Sequence, residues 1–453
     1  MERMCSPRRY AVGTLSYTLG GLIVLFCWLL WGDFAWSLKD RAVGPVATLM
    51  VKQFGVSDFF YGVLIISFPN LTNIFLGPVV SYFSDRHRGR MGRRIPFLAS
   101  TLPFIVLGIL GLGFSPQLGS WLSEKLGEEF LSAKGFSLIC FSIFWILFDF
   151  GNTLSGILFT ALVVDVVPQH FLGRFFGLFR GVSLFAGVLF NYFLLGYSGS
   201  HATLIFTGLA IVYAIGFGTL ILKVREGEYP PPEDTGRISW NPLVIFRTYL
   251  KECFSNPYYR WVILALPIAN MANAPFNAYS IFHAQSLQID LDNLGRYFAY
   301  TYIISLLLSY FLGMLADRFH PIRMGIVSTA AYGLLSLSGY FFIRDELSFS
   351  IVFILHGVLA GSFGTLTASY GPRLFPNALF AQFNSAVWLF QSLSWVVVPP
   401  LVGMMLDVTG NRYNYALIMG AVFSVFGVFM LSVVLHKYNR LGGDLGYIPP
   451  AVE

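Results

Sequence analysis

Apolar residues run through this chain in long stretches separated by short polar turns. A helix needs roughly 20 mostly apolar residues to cross a bilayer. Twelve stretches reach that length, near residues 16–50, 57–83, 95–116, 136–166, 173–198, 201–223, 260–287, 293–316, 323–343, 349–371, 379–405 and 414–436. The pattern predicts an all-α polytopic membrane protein with twelve transmembrane helices, the first long and kinked. The longest polar interruption, Lys223 to Arg260, leaves six helices on each side. Residues 1–223 and 260–453 are therefore expected to form two six-helix bundles, with 224–259 as a cytoplasmic central loop. Its opening, Glu228-Tyr229-Pro230-Pro231-Pro232-Glu233-Asp234, reads as extended chain. Further on, Leu243, Phe246, Leu250 and Phe254 share one face flanked by Arg247 and Lys251, which predicts a helix lying on the membrane surface.

Composition narrows the class. Hydrophobic residues make up 56% of the chain and charged residues only 11%, too few for the surface of a soluble domain, where about 25% are charged. Cys5, Cys27, Cys140 and Cys253 have no paired spacing, which excludes a disulfide scaffold. Arg3, Arg8 and Arg9 precede the first apolar run, but its length and the lack of a small-residue cleavage site argue against a signal peptide. With the N-terminus inside, most of the 29 Lys and Arg fall in cytoplasmic segments. Both termini are thus expected on the cytoplasmic side of the cell (inner or plasma) membrane. The formal charge of +6 then follows from topology and calls for no nucleic-acid partner.

Two motifs occur twice. Gly77-Pro78-Val79-Val80-Ser81-Tyr82-Phe83-Ser84-Asp85-Arg86, followed by Gly92-Arg93-Arg94, ends the second span. Gly313-Met314-Leu315-Ala316-Asp317-Arg318, followed by Arg323, ends the eighth. Likewise Pro168-Gln169-His170-Phe171-Leu172-Gly173-Arg174-Phe175 opens the fifth span and Pro376-Asn377-Ala378-Leu379-Phe380-Ala381-Gln382-Phe383 the eleventh. Equivalent motifs at equivalent places in two halves indicate an internal repeat.

The repeated Gly…Asp-Arg…Gly-Arg-Arg loop resembles the signature of the major facilitator superfamily. Its long form, Ser84 to Phe97, and Ala161-Leu162-Val163-Val164-Asp165 at the end of the fourth span resemble the glycoside–pentoside–hexuronide cation symporters, in particular their sucrose-transporter-like branch. The chain departs from plant sucrose carriers in having Thr160 where they tend to have Arg. It departs from the sodium-coupled melibiose type in having no acidic residue from Tyr61 to Phe83, which argues against sodium coupling of that type. Nor does the fifth span carry the Gly-Pro pattern of facilitator-type drug antiporters. The resemblance implies the major facilitator fold, two pseudo-symmetric six-helix bundles around a central cavity, and secondary transport by alternating access. It also implies a gating role for Gly77, Asp85, Arg86, Gly92, Arg93, Arg94, Asp165, Gly313, Asp317 and Arg318. Asp85 would face the start of span eleven and Asp317 the start of span five, where a carboxylate is favoured by free backbone N–H groups.

Charges inside spans are costly, at least ~2.5–3.5 kcal/mol each, and so point to function. Span one holds Asp33, Lys39, Asp40 and Arg41. Of these, Asp33, Asp40 and Arg41 share a helical face with Ser37. Span four holds Asp149 and Asn152, and span five Arg180. Desolvation favours the protonated form of a carboxylate and a neighbouring Arg the charged form. Asp149 and Asp33 are thus candidates for carrying a coupling proton, with Arg180 the expected partner. A static ion pair fixing helix packing is the alternative. Span seven offers a stripe of Asn270, Asn273, Asn277 and Ser280, and span eleven Asn384, Trp388, Gln391 and Trp395. Amides that donate and accept suit a ligand rich in hydroxyls, and Trp suits the apolar face of a sugar ring. Interhelical hydrogen bonding and Trp packing would use the same residues.

No Gly-x-x-x-x-Gly-Lys, His-Glu-x-x-His or Cys-x-x-Cys is present, so no cofactor, no metal and no enzymatic step are expected. The expected partners are the lipid bilayer, a proton and a small-molecule substrate, most simply a disaccharide or other glycoside, with Asp40, Arg41 and Asn152 added to the amides as contacts. An organic anion or peptide fragment clamped by Arg41 and Arg180 is the rival within transport. A transporter-like receptor or a membrane enzyme is the rival outside it.

Overall fold

The computed structural model describes residues 10–127, 129, 131–228, 249, 251, 253–376 and 380–450. Of the surface helix expected from Trp240 to Phe254, residues 240–248, 250 and 252 lie outside the described residues. Apart from a small hairpin, Tyr10–Val12 with Leu15–Tyr17, the architecture is helical. Among the described residues, eleven helices are long and apolar enough to cross a membrane.

The seventh apolar stretch differs from the other eleven. It forms two helices, Pro257–Asn270 and Ala274–Ser286, joined by a single 3₁₀ turn at Met271–Asn273. Pro275 has no N–H to return to the Met271 carbonyl, so the α-helical ladder breaks at that point. The break also alters the register of the amide stripe read from the sequence. Asn273 donates to Asn270 Oδ1 at 3.2 Å, whereas Asn277 is exposed.

The chain divides into two compact units, Met1–Val56 with Thr72–Glu233, and Ser57–Leu71 with Asp234–Glu453. In the first unit, span one (Leu19–Gln53, capped by the Thr18 hydroxyl) packs on span six (Ala202–Lys223). Their approach depends on glycine: a Cβ at Gly216 would lie 2.4 Å from the Ala35 Cβ, and one at Gly32 would lie 2.1 Å from Leu220. This contact sets the polar middle of span one against Tyr213.

In the second unit, residues 57–71 lie on span eleven (Phe380–Val408). The Asp407 carboxylate accepts the backbone N–H groups of Asp58 and Phe59 at 2.8 and 2.9 Å, capping that helix start. Ser67 Oγ donates to the Val396 carbonyl at 2.6 Å. Beyond the last span, Asn414–Arg440, the chain turns back on this unit. Asp444 pairs with Arg323 at 2.8 Å, and the Tyr447 hydroxyl donates to the Leu374 carbonyl at 2.7 Å.

Candidate substrate and coupling sites

Span one carries two polar faces. One lines a cavity of about 460 Å³ in the first unit, with Asp33, Ser37, Asp40 and Arg41 on one wall and Arg180 and Ser183 of span five on the other. Arg41 donates to Ser183 Oγ at 3.2 Å. Asp33 is buried, accepts from Ser37 at 3.4 Å through Oδ1, and has no hydrogen-bond partner on Oδ2. Arg180 is exposed and makes no ion pair among the described residues.

The other face belongs to Lys39, which is fully buried. Its ammonium donates to Asn152 Oδ1 of span four and stands 3.5 Å from the centre of the Trp36 ring, with the Phe148 and Tyr213 rings at 5.5 and 5.4 Å. A desolvated cation–π contact contributes about 2 kcal/mol, whereas burying an ion costs several kcal/mol after relaxation. The rings alone therefore do not hold a cation there. The remaining compensation comes from the Asn152 carbonyl and from the carboxylates of Asp40 and Asp149, both close enough for the charges to interact. Asp149 is itself buried, takes a hydrogen bond from Thr72 and leaves Oδ2 without a partner. The cation beside Asp149 is thus Lys39, and Arg180 belongs to the cavity with Asp33. Lys39 stands out in the sequence as a mid-span charge. What the sequence does not reveal is that it points away from Asp33 and Arg41.

The second unit has a cavity of about 370 Å³ lined by Asn270, Thr367, Asn384, Trp388 and Gln391. Gln391 Nε2 is buried and unpartnered, and the Trp388 ring is exposed. Asn273 and Asn277 do not line this cavity.

At one end of the first unit the signature residues converge on two carboxylates. Arg93 donates to Asp165 through Nε at 2.9 Å, and Arg94 Nε reaches the same carboxylate at 3.2 Å while its Nη1 bonds Ser84. Glu226, which the sequence analysis passes over, accepts the N–H groups of Arg93, Arg94 and Ile95 at 2.9, 2.8 and 2.7 Å, capping span three. Gly92 fits here because its φ is +99° and a Cβ would lie 2.6 Å from the Glu226 side chain. Glu226 is visible in the sequence only as one acid among several after span six. A Cβ at Gly77 would make only ordinary contact with Ile157, one at Gly313 would meet nothing within 4 Å, and Arg318 is exposed. The side chains of Asp85, Arg86 and Asp317 lie outside the described ones.

Arabidopsis thaliana sucrose transport protein SUC4 is 25% identical over 181 residues, covering 39% of this chain and 33% of its own length. Sucrose transport protein SUC3 of the same plant is 28% identical over 138 residues, covering 30% and 22%. The matched part of this chain thus spans a third or less of these relatives. A D-xylose-proton symporter structure superposes with a TM-score of 0.65 at 17% identity, covering 90% of this chain and 97% of its own; at that identity it speaks for the fold alone. The Major Facilitator Superfamily model matches residues 29–399. The chain is an integral membrane protein and belongs to the major facilitator superfamily of transporters.

Proposed function

We propose that this protein is a proton-coupled sugar symporter of the cell membrane, working by alternating access with both termini in the cytoplasm. Its substrate would be a disaccharide or other glycoside. The observation that carries the reading is the buried Asp149 carboxylate, with one oxygen unpartnered, beside the buried Lys39 ammonium. A carboxylate whose cationic neighbour moves during the transport cycle takes up and releases a proton. Asp33, also buried with a free oxygen on the charged cavity, is the second candidate. The amides and Trp388 of the other cavity suit a polyhydroxylated ring, and the partial similarity to sucrose transport proteins points the same way. In this reading the Asp85–Arg94 segment, Asp165 and the Gly313–Arg318 helix end gate the cytoplasmic side.

The test is uptake of labelled sucrose and maltose by sealed proteoliposomes under an inward proton gradient, with an ionophore as control. Uphill uptake that disappears with the gradient is the expected result. A second reading rests on Arg41 and Arg180, two guanidinium groups on one cavity, the latter without an ion pair among the described residues. They would clamp a carboxylate. Inhibition of uptake by small organic anions, but not by neutral sugars, would favour that reading and sink the sugar assignment.

A further inference from the structure

Trp36 lines the charged cavity, and the centre of its ring lies 3.5 Å from the Lys39 ammonium. The indole is therefore the wall between a solute-sized space and the buried charges. Charged and titratable neighbours of the ammonium are Asp40 from span one, Asp149 from span four and the Tyr213 phenol from span six. Asn152 of span four accepts its hydrogen bond, and Thr72 faces Asp149 from span two. Lys39 and Asp149 interact through space but form no direct ion pair among the described residues. The ammonium is instead seated over the ring.

We propose, building on the symport reading, that Trp36 is the positioning residue that links solute occupancy to the Lys39–Asp149 pair. A solute stacked on the cavity side of the indole holds the ring in place, and with it the ammonium. When the solute leaves, the ring is free to move and Lys39 can close on Asp149. A nearer cation favours the charged carboxylate, so the proton leaves with the solute. By reciprocity, a protonated Asp149 favours solute binding to the same degree. Nothing in this scheme requires Lys39 to touch the solute.

The experiment uses proteoliposomes of the full chain with labelled sucrose as probe. It records protons moved per sucrose with an internal pH dye, together with sucrose exchange, which needs no net proton movement. Trp36→Phe keeps a ring and is expected to retain the proton-to-sucrose ratio. Trp36→Leu is expected to lower the ratio about fivefold or more, with exchange recorded alongside to report any loss of solute binding. Gly156→Ala provides a route that leaves Trp36 itself intact, since its methyl would sit 3.2 Å from the Trp36 ring. It is expected to lower the ratio in the same direction. An unchanged ratio in both Trp36→Leu and Gly156→Ala overturns the proposal. So does loss of exchange in Trp36→Leu with an unaltered ratio in Gly156→Ala, which would make the indole only a solute platform. A wild-type protein that moves no proton with sucrose, or no sucrose, would sink the symport reading itself and this linkage with it. That failure shows in the wild-type arm, so it is distinguishable from failure in the variants alone.

Discussion

The two cavities are of similar size and opposite chemistry. The first unit's is ringed by Asp33, Asp40, Arg41 and Arg180, with Lys39 and Asp149 buried behind it. The second unit's has no ionisable side chain among its lining residues and presents amides, a threonine and an exposed indole. Both units are helical, and among the described residues charge lines the cavity of only one of the two. In physical terms the division is economical. Uncharged amides recognise hydroxyls without drawing on the costly buried ions; in the first unit the Trp36 ring is the surface offered to a solute, and the ions behind it are left to follow a proton.

The sharpest way to break this comparison is Asp149→Asn. If the first unit handles the proton, the variant loses gradient-driven accumulation by about a hundredfold or more while exchange stays within about threefold of wild type. Uphill uptake at the wild-type level would remove Asp149 from that role.

The ends of the units give a second contrast. In the first unit Glu226 accepts three backbone N–H groups and Asp165 accepts from two arginines, whereas Arg318 of the second motif copy is exposed. Hydrogen bonds to charged groups contribute roughly 1.5–3 kcal/mol, and surface substitutions usually stay within about 0.5 kcal/mol. Glu226→Ala is therefore expected to lower the melting temperature in detergent clearly, and Arg318→Ala hardly at all. Equal shifts would mean that the caps of the first unit do not stabilise it.

For the amide cavity, Gln391→Ala is expected to raise the apparent KM for sucrose by roughly two- to tenfold, the size of one neutral hydrogen bond. Its pH profile should match wild type. A changed profile would place part of the coupling in the second unit and erase the contrast.

Fold and family were legible in the sequence because both are written in long-range periodicity: twelve apolar stretches and a loop motif that occurs twice. The face shared by Asp33, Ser37, Asp40 and Arg41 was legible too, since helical spacing alone sets it. Which cation stands beside Asp149 was not. Lys39 and Arg180 are both mid-span cations, and it is the tertiary packing that sets Lys39 against Asn152 of span four and Tyr213 of span six. The break in span seven was not legible: the spacing of its amides assumed an unbroken helix, and Pro275 replaces one turn with 3₁₀ geometry. Glu226 was passed over because a capping carboxylate on a distant segment has no spacing signature.

The smallest expected effect concerns the second unit's end, where charge does occur. His320 caps span nine, its Nδ1 accepting the Ile322 N–H at 3.4 Å, and its ring lies 4.3 Å from that of Tyr438. Burial pushes the imidazole from 6.5 down to about 4, with Arg373 and Arg323 adding to the shift and Asp444 opposing it. In the unfolded chain the same group takes up its proton near pH 6.5. Between these values the unfolded state binds more protons, so His320 makes the fold lose stability as pH falls from about 6.5 toward 4. The local chemistry agrees, because a protonated Nδ1 becomes a donor and can no longer cap the helix. His320→Asn keeps a good capping side chain and removes the titration. Melting temperatures recorded in detergent at several pH values between 7 and 4.5 should fall less steeply for the variant than for wild type, with near-coincidence at pH 7. Parallel curves would mean that the imidazole titrates alike in the folded and unfolded chain. The pH response of the protein would then come from its other titratable groups.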